Sequence, residues 1–135
     1  MANIDEISFS NVVLNATTSG NTELAVCQVS GVTPARFNCN VILWAYLGFT
    51  TSTNITSARL RLRQGTGIAG TVVGDTGVDV SGISASQIST KAFMGVDASP
   101  GDVANAAYTM TLTTAGGTPG NSTVQFAVLI ALISR

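Results

Sequence analysis

Several groups of residues in this chain are of a kind that can do chemistry, and each can be weighed against what that chemistry needs. Gly65-Thr66-Gly67-Ile68-Ala69-Gly70 has the glycine spacing of a dinucleotide-binding turn and comes directly after a strand-like run. Such a turn works only when a helix opens directly after it, so that the helix N-terminus holds the pyrophosphate. The next residues are Thr71-Val72-Val73-Gly74-Asp75-Thr76-Gly77, a β-branched and glycine-rich run that does not form that helix. The glycines are expected to make a turn and bulges instead. Asp75 with Asp79, and Asp97 with Asp102, put carboxylates in loops. Neither pair has the dense alternation of an ordered calcium loop, and aspartate favours turns for its own local hydrogen bonds. Glu6 and Glu23 are the only glutamates, both in the first quarter of the chain, which is a poor basis for paired-carboxylate glycoside hydrolysis. Serine and threonine are plentiful, but the chain has no histidine to serve them as a base. Lys91 is the only lysine, and nothing marks a serine partner for it.

Two further groups point to structure. Cys27 and Cys39 flank or sit in probable strands and are expected as buried, reduced thiols, with a disulfide as the alternative. Arg59, Arg61 and Arg63 recur at every second residue, which on a strand stacks three guanidinium groups about 7 Å apart on one face. That row is a solvated outer face, a docking surface for an acidic partner, or one side of inter-strand ion pairs with Asp75 or Asp79. The chemistry expected is therefore none: no enzyme, no metal, no cofactor and no small-molecule substrate.

The elements that position these residues read as strands throughout. Residues 6–15 alternate at first, with Ile7 and Phe9 on one side of Ser8 and Ser10. Residues 22–30 put Leu24 and Val26 on one face and Ala25, Cys27 and Val29 on the other. Residues 40–50 place Val41, Leu43, Ala45, Leu47 and Phe49 one way and Ile42, Trp44 and Tyr46 the other. A strand apolar on both faces is covered on both faces. Residues 56–64 alternate cleanly, with Ala58, Leu60 and Leu62 inward and the arginines outward. Short strands are expected at 70–73 and 77–80, and longer ones at 88–96 and 105–114. Residues 122–134 form the second two-faced strand, with Val124, Phe126, Val128, Ile130 and Leu132 on one side. Their opposite side is Gln125, Ala127, Leu129, Ala131 and Ile133. Residues 86–93 come nearest to a helical period, and their β-branched content argues against it.

The 135 residues make one domain, 1–135, with residues 1–6 as an N-terminal arm. Eight or nine strands at this spacing predict an all-β fold, a two-sheet antiparallel jelly-roll sandwich. With 45% hydrophobic and 10% charged residues, the polar side chains are too few to cover the surface of a monomer. The apolar runs at 41–49 and 126–133 are too short for a spanning helix, and the N-terminus is polar and acidic, unlike a signal peptide. A subunit interface therefore explains the excess better than a membrane does. Net charge −1 argues against nucleic acid.

From Ala58 onward the chain resembles a known group. The residues concerned are Arg59-Leu60-Arg61-Leu62-Arg63-Gln64-Gly65-Thr66-Gly67, Gly70-Thr71-Val72-Val73-Gly74, Tyr108-Thr109-Met110-Thr111-Leu112 and Ser122-Thr123-Val124 with the apolar strand after it. This run resembles small jelly-roll proteins and domains of tailed bacteriophages: capsid decoration (cement) proteins, head spikes and fibre-tip domains. The resemblance rests on pattern, spans 58–135 and does not reach 3–37. It implies a homotrimer similar to tumour-necrosis-factor-like folds, bound to the major capsid protein on the virion surface and made in the host cytoplasm without a signal peptide. On that reading Trp44, Tyr46, Phe126 and Leu129 are the expected subunit interface, and Ile4, Asp5, Glu6 and Ile7 the expected capsid contact. The alternative is a receptor- or carbohydrate-binding module of a phage fibre or spike.

Overall fold

A computed structural model describes residues 4–14, 17, 22–34, 39–77, 84–101, 105–116 and 122–134, with the backbone alone for Ile4 and Asp5. These residues form eight strands: β1 (Ile4–Ser10), β2 (Leu24–Val32), β3 (Asn40–Thr51), β4 (Ser57–Gln64), β5 (Val72–Asp75), β6 (Ile88–Asp97), β7 (Ala106–Ala115) and β8 (Ser122–Ser134). All pairings are antiparallel. One sheet has the order β1-β8-β3-β6 and the other β2-β7-β4-β5. Every connection except β4 to β5 crosses from one sheet to the other, which is the double Greek key of a jelly roll.

Alternation accounts for most of the core. Val41, Leu43, Ala45, Leu47 and Phe49 of β3 are buried, and Ala58, Leu60 and Leu62 of β4 face them from the second sheet. Ala106, Tyr108, Met110 and Leu112 of β7 complete that layer. Of residues 86–93, the nearest approach to a helical pattern, 88–93 lie in strand β6. The expected strand at 70–73 lies two residues later, at Val72–Asp75, because the glycine turn runs through Gly70. The expected strand at 77–80 falls outside the described residues after Gly77, which is itself outside any strand.

Simple alternation fails where a strand carries an extra residue. Gly48 pairs with Phe126 but Phe49 pairs with Val124, so Gln125 is a bulge in β8. Val124 is therefore buried, on the opposite side from Phe126, Val128, Ile130 and Leu132, and the expected grouping of all five on one face is corrected. In β2 a register shift between Ala25 and Cys27 buries both Val26 and Cys27, which alternation had put on opposite faces. A second shift lies between Val29 and Val32, where Gly31 takes φ +73°, a conformation costly for other residues.

Ile4 and Glu6 pair with Ser134 and Ile133 of β8, so the expected free arm does not extend over residues 4–6. Strand pairing satisfies backbone groups that an arm would leave to water. Residues 1–3 lie outside the described residues.

Close contacts tie the sheets together at two places that bear on β6. A Cβ on Gly95 of β6 would lie 3.1 Å from Gly74 Cα and 2.9 Å from the Val73 carbonyl oxygen, so β5 and β6 approach backbone to backbone. Inside the sandwich the buried Tyr108 hydroxyl donates to Asp97 Oδ2 at 2.8 Å, and the Ser99 N–H donates to Oδ1 at 3.2 Å. Burial, and then the Asp97 carboxylate, push the Tyr108 phenol well above its ordinary value. Cys27 and Cys39 are buried and unbonded to each other, and burial raises the Cys27 thiol, which makes it unreactive.

Candidate functional site

The outer faces of the two sheets have opposite chemistry. On the β2-β7-β4-β5 sheet the arginine row of β4 is matched by carboxylates. Arg59 donates to Asp75 of β5 at 2.9 Å from Nε and 2.5 Å from Nη2. Arg61 bridges Asp75 and Glu23, both at 3.2 Å. Arg63 donates to Glu23 through Nε and Nη2, each at 2.8 Å, and to the Gly70 carbonyl at 2.7 Å. Thr111 of β7 also donates to Glu23. The arginine hydrogen bonds hold both carboxyls below their ordinary range: Arg63 acts first on Glu23 and Arg59 first on Asp75.

Of the roles open to Arg59, Arg61 and Arg63, the geometry is that of inter-strand ion pairs. Asp75 was expected as a partner; Asp79 lies outside the described residues. Glu23 was missed. It sits directly before β2, and only the sheet order β2-β7-β4 brings it across Thr111 to the arginines. The glycine run 65–70 is the β4–β5 connection, with Gly65 at φ +97° and Gly67 at φ +70°.

The β1-β8-β3-β6 sheet presents the reverse. Its outer rows run across all four strands: Ile7, Leu132, Ile42, Val96 in one, and Phe9, Ile130, Trp44, Met94 in the next. Val128, Tyr46 and Ala92 form a third, and Ile88 extends the β6 margin. No described side chain in these rows is charged. Phe9 is 70% exposed, Met94 59% and Trp44 51%. Around Trp44 and Met94 lies a groove of about 570 Å³ lined chiefly by Trp44, Tyr46, Ala92, Met94, Val128 and Ile130. Phe126 lies beside Tyr46 on the same face, its ring 5.0 Å from that of Tyr46 and lying over Gly48.

Of the expected interface residues, Trp44, Tyr46 and Phe126 come together on this face. Leu129 does not: it is fully buried and points into the sandwich, because it alternates with Val128 and Ile130. That placement corrects its assignment to an outer interface. Ile7, expected as a capsid contact, lies in the same apolar face. Glu6 points elsewhere, accepting from Thr33 Oγ1 and, at 3.3 Å, from the Thr33 N–H. Sequence reading also missed Phe9, Met94 and Val96 as parts of this surface. Their signal was alternation in β1 and β6, which became legible only once both strands were placed in the sheet of Trp44.

No protein-family model matches the chain, and no curated protein matches it. Solved structures do. Over 96% of this chain it superposes on 35% of the chain in the VP2 subviral particle of infectious bursal disease virus, with TM-score 0.55 and 11% identity. The infectious bursal disease virus particle gives 0.54 at 12% identity over 95% of this chain and 31% of that one. The Gx strain of the same virus gives 0.53 at 13%, over 95% and 33%. The chain therefore spans about a third of the length of these viral proteins. What it shares with them is the fold, a jelly roll of the kind found in viral particles.

Proposed function

We propose that this chain is a non-enzymatic structural protein of a virion: a homotrimeric capsid decoration protein of a bacteriophage that binds the outer shell surface and stabilises it. The observation that carries this reading is the uncharged row Phe9, Ile130, Trp44, Met94, which crosses a whole sheet of a viral-type jelly roll. A lone domain leaves that face in water; a subunit covers it. Trp44, Tyr46 and Phe126 are the aromatic anchors of self-association on it. The contact with the major capsid protein is assigned to Ile4, Asp5, Glu6 and Ile7. They lie at one end of β1, an edge strand that can add to a partner's sheet. A ligand that binds the assembled shell but not its free subunits stabilises the shell by mass action.

Binding of a receptor sugar is the reading against which this one is set. Trp44 and Tyr46 are exposed as a sugar platform requires, but the groove around them is lined by aliphatic carbon and methionine, without carboxylate or amide side chains.

The test is sedimentation of purified protein with empty phage shells, beside a glycan-binding panel. Saturable binding to shells and a higher temperature of shell disruption are expected. Glycan binding without shell binding would overturn the reading.

A further inference from the structure

The groove between Trp44, Tyr46 and Met94 calls for an occupant, and the one assigned to it rests on the self-association reading above. The occupant must be apolar, since the groove offers no partner to a charge. The outer face of the second sheet carries Arg59, Arg61, Arg63, Glu23 and Asp75, and burying those against it would leave charge in an apolar site. Of the two sheet faces, a second copy can therefore meet the groove only with that of the β1-β8-β3-β6 sheet.

On that sheet the most exposed large side chain is Phe9, on the margin strand β1. Phe9 shares a cross-strand row with the groove: it lies opposite Ile130, Ile130 opposite Trp44, and Trp44 opposite Met94. A rotation axis parallel to the strands leaves heights along them unchanged. Such an axis brings Phe9 of one copy level with the groove of the next. From strand spacing and rise, the face from Ile42 to Thr50 covers about 500 Å² in plan before side-chain relief is counted. That is of the order of the roughly 800 Å² per partner that stable interfaces bury.

We propose that Phe9 on the β1 margin of one copy seats in the Trp44–Tyr46–Met94 groove of the next, a head-to-tail contact that closes into a ring of three. The contact is heterologous, so each copy offers a knob on one margin and a groove beside the other.

The test is disulfide trapping of the double variant Phe9→Cys with Met94→Cys. Within one chain these positions are three strand spacings apart, about 14 Å, beyond the roughly 7 Å that a disulfide spans. Cys27 and Cys39 are buried and do not compete. Mild oxidation is expected to give a covalent ladder ending at three chains, with most of the protein cross-linked and each single variant giving none. The mass of the wild-type protein is measured alongside. A double variant that keeps the wild-type trimer mass when reduced, yet stays uncross-linked on oxidation, overturns this contact and leaves self-association standing. A wild-type monomer overturns both. Met94→Cys alone giving a covalent dimer would indicate a face-to-face twofold arrangement and overturn the ring.

Discussion

Gly48 of β3 and Phe126 of β8 share one space: a Cβ added to Gly48 would lie 2.3 Å from Cε1 of the Phe126 ring. The ring covers a glycine that would otherwise leave bare backbone on the outer face, and it is held there beside Tyr46 at 5.0 Å. Gly48→Ala must push the ring aside, at a cost of about 1–2 kcal/mol in folding stability. In a Phe126→Ala background the same change should cost nothing or stabilise, since alanine favours a strand over glycine. Chemical denaturation of the four proteins measures this coupling.

Glu23 and Asp75 predict the acid limb of stability. Both titrate lower in the folded chain than their ordinary values of 4.5 and 3.8, because arginines hold their charged forms. The unfolded chain therefore binds protons more readily in this range, and stability falls as pH drops below about 5. The contribution is full above the ordinary carboxylate values and is lost as pH falls through the folded ones. Glu23→Gln should lower stability at pH 7 by about 1 kcal/mol, given partial exposure, and flatten the acid limb. Denaturation midpoints from pH 2 to pH 7 check both.

Tyr108 predicts the alkaline limb. Its hydroxyl is the side-chain donor to Asp97 inside the sandwich. Tyr108→Phe should cost about 2–3 kcal/mol, because the buried carboxylate loses that donor. The phenol titrates higher folded than unfolded, so its contribution is intact below pH 10 and lost as pH rises above it. Absorbance at alkaline pH should show Tyr108 ionising only as the protein unfolds.

Trp44 is the only tryptophan and is half exposed within a single chain. Self-association through its face covers it, so its emission should shift to longer wavelength as the protein is diluted to single chains. Emission that stays constant while the mass falls would place the interface elsewhere.

Much of this was legible in sequence where a strand keeps strict alternation. The apolar residues of β3 and the inward leucines of β4 declare their faces without help. Gln125 does not, because a bulge is a mismatch between two strands and leaves no mark on one. That is why Val124 was grouped with Phe126. Leu129 was placed with the outer aromatics on size alone, although its own parity set it with buried Ala127 and Ala131. Glu23 reads only as a residue of the 22–30 strand, and its role exists only through the order β2-β7-β4. The apolar face likewise depends on order: Phe9, Ile130, Trp44 and Met94 come from four strands and meet only in the sheet.

The central claim, that this face is covered by further copies of the chain, is tested most directly by absolute mass from light scattering behind a sizing column, over a dilution series. The account predicts about 41 kDa, three times the 13.8 kDa chain. A mass of one chain at every concentration would contradict it.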